Sequence, residues 1–356
     1  MIAARVGDVH FKPMIMHNHS SRRRFLLQSV FAGSALGLGL PAFSFNPSRK
    51  SAVQTGKRVG IIGLDTSHAP AFTKALNAEK SDPALAGYRV VAAYPQGSRD
   101  IVSSVERIPA YTEQVRNMGV EIVDSIGLLL SKVDVVLLET NDGRLHLEQA
   151  RQVFAAGKPV FIDKPVAASL KDAVAIYAEA AKYKVPVFSA SSLRYTPNVQ
   201  EAVSGKAGTI LGADTFSPMK IEPTHPDLFW YGIHGVETLY TLMGVGCTSV
   251  TRIKGRDADV VTGVWKDGRV GVFRGIREGK ADYGGTVYGS KGIMTVGPHV
   301  GYQPLLLKII EFFQTGIAPV SAEETVEMFA FMAAADESLK RGGKPVDPGE
   351  MLRRVK

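Results

Sequence analysis

The chain has 356 residues, a formal net charge of +8, 45% hydrophobic and 21% charged residues. This is an ordinary globular composition of two-domain length, and its Lys and Arg are scattered without an aromatic-studded basic run, which argues against a nucleic-acid-binding surface. A single cysteine, Cys247 in an apolar setting, excludes an intrachain disulfide and reads as packing rather than as a nucleophile.

In chain order, Ser21-Arg22-Arg23-Arg24-Phe25-Leu26-Leu27 has the paired arginines of a twin-arginine export signal. The apolar stretch Phe31 to Leu40 is short and glycine-rich, too short to cross a bilayer of about 30 Å as a helix. Ser44 offers a cleavage point, and Met14 or Met16 an internal start. Residues 1–44 are therefore expected to be a cleaved signal. They would deliver a folded chain through the twin-arginine translocation machinery to the periplasm or beyond, with no stable membrane span. Residues 45–57 read as a linker. Arg58 to Gly63 is a short apolar run ending at glycine, a buried strand. A helix over Ala69 to Lys80, a strand over Tyr88 to Ala93, and a strand over Val133 to Leu138 follow. Leu145 to Ala156 is an amphipathic helix, Pro159 to Ile162 a strand, Leu170 to Tyr183 a helix and Val185 to Phe188 a strand. This alternation predicts a parallel, doubly wound sheet over 58–188.

From residue 189 onward the rhythm changes. A helix is expected near Tyr231 to Met243, a hairpin over Val260 to Trp265 and Val270 to Arg274, and a further strand over Tyr283 to Tyr288. Helices over Leu305 to Gln314 and Ala322 to Leu339 close the chain. Residues 189–356 thus predict an α/β domain with a mostly antiparallel sheet, whose open face offers a surface for homo-oligomer formation.

Two features place a ligand at the carboxyl ends of the parallel strands: the strand–loop–helix start at Gly63, and Thr140-Asn141 with His146 on the following helix. A third is the strand ending in Asp163-Lys164-Pro165, which projects a lysine at the mouth of the sheet. With Val59 to Gly63, Thr140 to His146, Gly157 to Pro165, Gly232-Ile233-His234 and Tyr288 to Gly292, the chain after the linker resembles the glucose–fructose oxidoreductase/inositol dehydrogenase (Gfo/Idh/MocA) family. The resemblance implies a Rossmann-type domain followed by a substrate domain. It also implies NAD(P)-dependent oxidation of a secondary alcohol on a sugar or cyclitol, with Lys164 contacting substrate and nicotinamide ribose and His234 as acid/base.

The pair is chemically coherent. A base must take the hydroxyl proton as the hydride leaves, and an adjacent ammonium lowers the imidazole pKa and stabilises developing alkoxide. Glu237, one helical turn on, is placed to orient the imidazole.

Three departures from the family pattern stand out. The run Gly63-Leu64-Asp65-Thr66-Ser67-His68 keeps only the first of three loop glycines; Asp65 would face a phosphate, or else cap the helix, while Thr66 and Ser67 still offer donors. The acidic residue expected after the second strand is missing, and Ser98 and Arg99 there favour NADP over NAD. Trp230 replaces an aspartate four residues before His234. With Tyr231 and Arg194 it joins the candidate substrate-binding residues; Tyr283 is another pocket candidate. His68, His225, His234 and Glu237 are of ligand type, but no tight pair shares a helix face, so no metal is expected. Two other readings of the same cleft stand beside the redox one: a lyase or hydrolase step on a sugar derivative, and a non-catalytic carbohydrate-binding protein that has lost its cofactor.

Overall fold

The computed structural model describes residues 56–355; the expected signal at 1–44 and most of the linker lie outside them. The strand β1 (Arg58–Ile62) is buried from Val59 onward, as a strand covered on both faces must be. It sits at the centre of a six-stranded sheet with β2 (Arg89–Tyr94), β3 (Glu121–Ile122), β4 (Val135–Leu138), β5 (Val160–Ile162) and β6 (Val187–Ser189). The order is β3-β2-β1-β4-β5-β6 and every pairing is parallel. The strand order reverses between β1 and β4, which opens a crevice at their carboxyl ends.

Alternation along the strands divides the packing. Val59, Ile61, Val135, Leu137, Phe161 and Phe188 face α1 (His68–Leu76) and α2 (Val102–Asn117). Ile62, Val136, Leu138, Val160 and Ile162 face α3 (Ile126–Lys132), α4 (His146–Ala155) and α5 (Leu170–Tyr183). Local signals set the helix starts: Ser125 and Ser169 accept hydrogen bonds from the backbone N–H groups of Leu128 and Asp172.

The chain then passes through α6 (Pro197–Val203) into a second six-stranded sheet. Its strands are β7 (Ile210–Pro218), β8 (Cys247–Lys254), β9 (Ala258–Trp265), β10 (Val270–Ile276), β11 (Gly284–Gly289) and β12 (Gly292–Val296), in the order β12-β11-β7-β10-β9-β8. Only β7 and β10 run parallel; the remaining pairings are antiparallel. One face is covered by α7 (Ile233–Met243) and α9 (Ala322–Lys340), with α10 (Pro348–Val355) beside them. The expected helix at 231–243 begins with a wide π-type turn over Leu228–Gly232, and α7 continues from it.

Helix α8 (Gln303–Thr315) returns to the first sheet, packing Leu305, Ile309, Phe312 and Phe313 into the layer of Val59, Phe161 and Phe188. No helix among the described residues is long and apolar enough to cross a membrane.

Candidate active-site cleft

Gly63 ends β1 with φ of +88°, and a Cβ there would lie 2.5 Å from the Thr140 nitrogen, so the turn requires glycine. The loop that follows is organised by Asp65. Its side chain does not cap α1. It is fully buried, and its carboxylate accepts the backbone N–H of Asn141 at 2.9 Å and of Ser98 at 3.3 Å. Asp65 therefore ties together the carboxyl ends of β1, β2 and β4. Gly97 makes room for it: a Cβ there would fall 2.0 Å from Asp65 Oδ2. Burial pushes the Asp65 carboxyl upward, against the pull of those two amides.

On one side of this tie lies a surface groove of about 590 Å³ lined by Ser98, Arg99, Asp142 and Arg144. Arg99 is exposed at its rim. The Ser98 hydroxyl is not free; it lies 2.8 Å from both Asp100 and Asp142. Arg144, which sequence reading passed over, clamps Asp142 at 2.6 Å and Asp100 at 3.1 Å. His225, from the loop before α7, brings Nε2 to 3.4 Å from Asp142. Burial alone would raise the Asp142 carboxyl, yet the contacts from His225, Arg144 and Ser98 hold it well below the usual carboxylate range.

On the other side is a cleft of about 250 Å³ between the two sheets. It brings together Thr66, Ser67, Asn141, Asp163 and Lys164 from the first domain with Trp230, Tyr231, His234 and Tyr283 from the second. Lys164 is the second residue after β5 and precedes a cis Pro165. His234 sits in the first turn of α7, buried, with Nδ1 2.9 Å from Ser191 Oγ and its ring edge-on to Tyr231 and Tyr283. Burial first, and the Lys164 ammonium second, hold the His234 imidazole well below its ordinary value. It is therefore neutral at neutral pH and able to accept a proton. Thr66 Oγ1 is buried beside the cleft with no hydrogen-bond partner among the described residues.

Several expected assignments change. Glu237 makes no hydrogen bond or ion pair with His234. Its carboxylate accepts the Ser191 N–H at 2.8 Å and Arg194 Nε at 2.9 Å, so it fixes the residue that holds the imidazole. Arg194 lies outside the cleft lining, buried between Glu237 and Glu324 at 2.9 and 2.6 Å. His146 is fully buried, its ring nitrogens against the carbonyls of Thr140 and Val166, where it pins two loops. Ser191 was legible only as one serine among several after β6, because its partner lies on another domain.

Beneath the cleft, His68, Asp163 and Glu139 meet at the carboxyl ends of β1, β5 and β4. His68 Nδ1 is 3.0 Å from Asp163 and 3.6 Å from Glu139. Burial lowers the imidazole, but the two carboxylates overcome this and raise it to about 10.

Residues 57–191 match the family model for the oxidoreductase family with NAD-binding Rossmann fold, GFO_IDH_MocA. No curated protein matches the chain in sequence. Among solved structures, the chain is similar to a probable dehydrogenase from Thermotoga maritima, at 19% identity and a TM-score of 0.68 over 82% of this chain and 99% of that one. It is also similar to scyllo-inositol dehydrogenase from Lactobacillus casei with bound NAD(H) and scyllo-inositol, at 14% identity and a TM-score of 0.66 over 83% and 100% of the two chains. At those identities the likeness is one of fold. Residues 57–191 thus form a domain that matches the NAD-binding Rossmann fold of the Gfo/Idh/MocA oxidoreductase family model.

Proposed function

We propose that this chain is an NAD(P)-dependent oxidoreductase that interconverts a secondary alcohol and a ketone on a sugar or cyclitol. The observation that carries the reading is the pairing, in one cleft, of a neutral buried imidazole, His234, with the ammonium of Lys164.

The residues present fit a dinucleotide at both ends. Thr66, whose buried hydroxyl lacks a partner, Asn141 and Lys164 would hold the nicotinamide half at the cleft. Arg99 and the backbone around Ser98 would face the adenosine half in the groove. Between them, Asp65 already occupies two backbone donors and places a carboxylate in the crevice, which weakens anion binding. When bound, the nicotinamide supplies the hydride acceptor. The chain's own residues do the rest. His234 takes the hydroxyl proton, Ser191 fixes its ring through Nδ1, and Lys164 stabilises the developing alkoxide. Trp230, Tyr231 and Tyr283 offer aromatic faces and edges to a sugar-like ring.

The Asp65 carboxylate favours one competing reading, a redox-neutral acid/base step by His234 and Lys164. Analysis of the purified full-length protein separates the two. Co-purifying NAD(H) or NADP(H), identified by nicotinamide absorbance and mass spectrometry, together with turnover of a polyol that is lost in His234→Ala, supports the redox reading. Turnover without any dinucleotide rejects it.

We also propose that the protein works outside the cytoplasm, on the strength of Arg22-Arg23-Arg24 and the short apolar run after them. Loading of a cofactor before export accords with a route that carries folded chains. The double substitution Arg22→Lys, Arg23→Lys tests this: retention of the protein in the cytoplasm is expected, and unchanged export would refute it.

A further inference from the structure

The cluster beneath the cleft poses a hydrogen-bonding problem that the oxidoreductase reading leaves unsolved. Glu139 directly follows β4, Asp163 directly follows β5 and His68 opens α1, so three neighbouring strand ends at the switch point each contribute one ligand-type side chain. Glu139 and Asp163 are wholly buried, and the His68 side chain is 93% buried.

Nδ1 of His68 carries at most one hydrogen, and at 3.0 Å that hydrogen goes to Asp163 Oδ1. Nothing is left for Glu139. Both of its carboxylate oxygens, and Asp163 Oδ2, have no hydrogen-bond donor among the described residues. The ammonium of Lys164 stays 3.9 Å from Asp163 Oδ2. Buried carboxylate oxygens are almost always paired, because an unpaired one forfeits its hydration without return.

We propose that His68 Nδ1, Glu139 and Asp163 bind a divalent first-row transition-metal ion, with an open coordination side towards the cleft. Spacing favours this. Ligands about 2.0–2.2 Å from an ion stand roughly 3.0–3.5 Å apart at tetrahedral or octahedral angles. The 3.0 and 3.6 Å separations around Nδ1 bracket that range, and one ligand atom from each residue lies within 4.8 Å of the others. The charges also match: two carboxylates offset the ion, and the proton on Nδ1 departs to solvent when the nitrogen coordinates. One imidazole with two carboxylates suits zinc, manganese or iron(II) better than magnesium or calcium. Three protein ligands with a free position are the arrangement of a substrate-polarising site rather than a closed structural one. His68 and Asp163 both line the cleft, so the free position opens beside Lys164. The site does not depend on dinucleotide binding, and it goes beyond the expectation of no metal drawn from sequence spacing, since its ligands come from three separate strand ends.

Equilibrium dialysis of chelator-stripped full-length protein against Zn²⁺ and Mn²⁺, followed by elemental analysis, tests the proposal. One ion per chain at this site is expected in the wild type, beyond any that the N-terminal histidines hold. Glu139→Gln and His68→Gln, which keep side-chain volume close, should each weaken uptake by about tenfold or more. His10, His17 and His19 near the start of the chain provide a competing source of binding that these variants leave intact. Should a variant fail to fold, the Co²⁺-loaded wild type decides. A visible d–d band together with paramagnetic shifts of the His68 ring supports the site; their absence overturns it. Absence of uptake by the wild type, or undiminished uptake by both folded variants, also overturns it. None of these readouts needs turnover, so failure of the oxidoreductase reading would leave the result distinct.

Discussion

Asp65 shows how one side chain sets the terms for a whole binding crevice. Its carboxylate takes two backbone donors at the carboxyl ends of β2 and β4, and it is fully buried. A phosphate about 4 Å away would be repelled by roughly 1–4 kcal/mol. Asp65→Gly is therefore expected to tighten NAD(H) or NADP(H) binding by about fivefold to nearly a thousandfold. Loss of the two internal hydrogen bonds should destabilise the fold by about 1–3 kcal/mol. Fluorescence titration with reduced cofactor checks the first effect, and unchanged or weaker affinity in the variant would contradict it. His234 supports a second expectation. Burial and the Lys164 charge both disfavour its protonation, so an NMR titration of its ring should give a midpoint well below 6.5. If the ring acts as base, activity falls only as pH drops into that lower range. Lys164→Met removes one of these causes and should move the midpoint upward; an unmoved midpoint would separate the two groups.

At the scale of elements, the sequence announces those that bury a continuous apolar run. β1, β4 and β5 fall where their Val, Ile and Leu residues place them, since a strand covered on both faces must be apolar throughout. Helix α2 gives no such signal. It runs for 16 residues with Pro109 inside, and only Ser104 and Val115 are buried, so it has no apolar stripe to read. The same contrast holds at the site. Lys164 and His234 sit in recognisable local segments, whereas the partners that define Asp65, Glu139 and Ser191 lie on other elements. Asp65 and Asn141 are 76 residues apart, and Ser191 and His234 are 43. Arg252 on β8 is a further case of partners invisible locally. It is wholly buried, bonded to Asp259 on β9 and Asp227 before α7 at 2.8 Å each, and to Asp336 on α9. Arg252→Met would remove the shared partner of Asp227 and Asp336 and leave Asp259 with Arg277 alone, at 2.6 Å. A loss of about 3–5 kcal/mol is expected, read as a lowered urea midpoint. A midpoint within error of the wild type would mean that the acids find water or protons instead.

At the scale of the molecule, the segment that carries the family match is not the segment that completes its own core. Residues 57–191 contain the whole parallel sheet, but one face of that sheet is closed by α8, more than a hundred residues later. Leu305, Leu306, Ile309, Ile310, Phe312 and Phe313 are each at most 3% exposed in that layer. Burying side chains of this kind contributes about 1.5–3 kcal/mol apiece, so together they supply on the order of 10 kcal/mol. The net stability of a domain is only about 5–15 kcal/mol, so removing α8 uncovers an amount comparable to the whole margin. A fragment of residues 57–191 alone is accordingly expected to lack a cooperative thermal transition and to bind a hydrophobic dye. Adding a peptide of residues 302–321 should restore part of the transition, since α8 meets this sheet through side chains rather than through shared strands. Phe312→Ala in the full-length protein offers the milder version, with an expected loss of about 3–5 kcal/mol. A cooperative melt from the isolated fragment would show that the first domain closes its own core, and that α8 merely rests upon it.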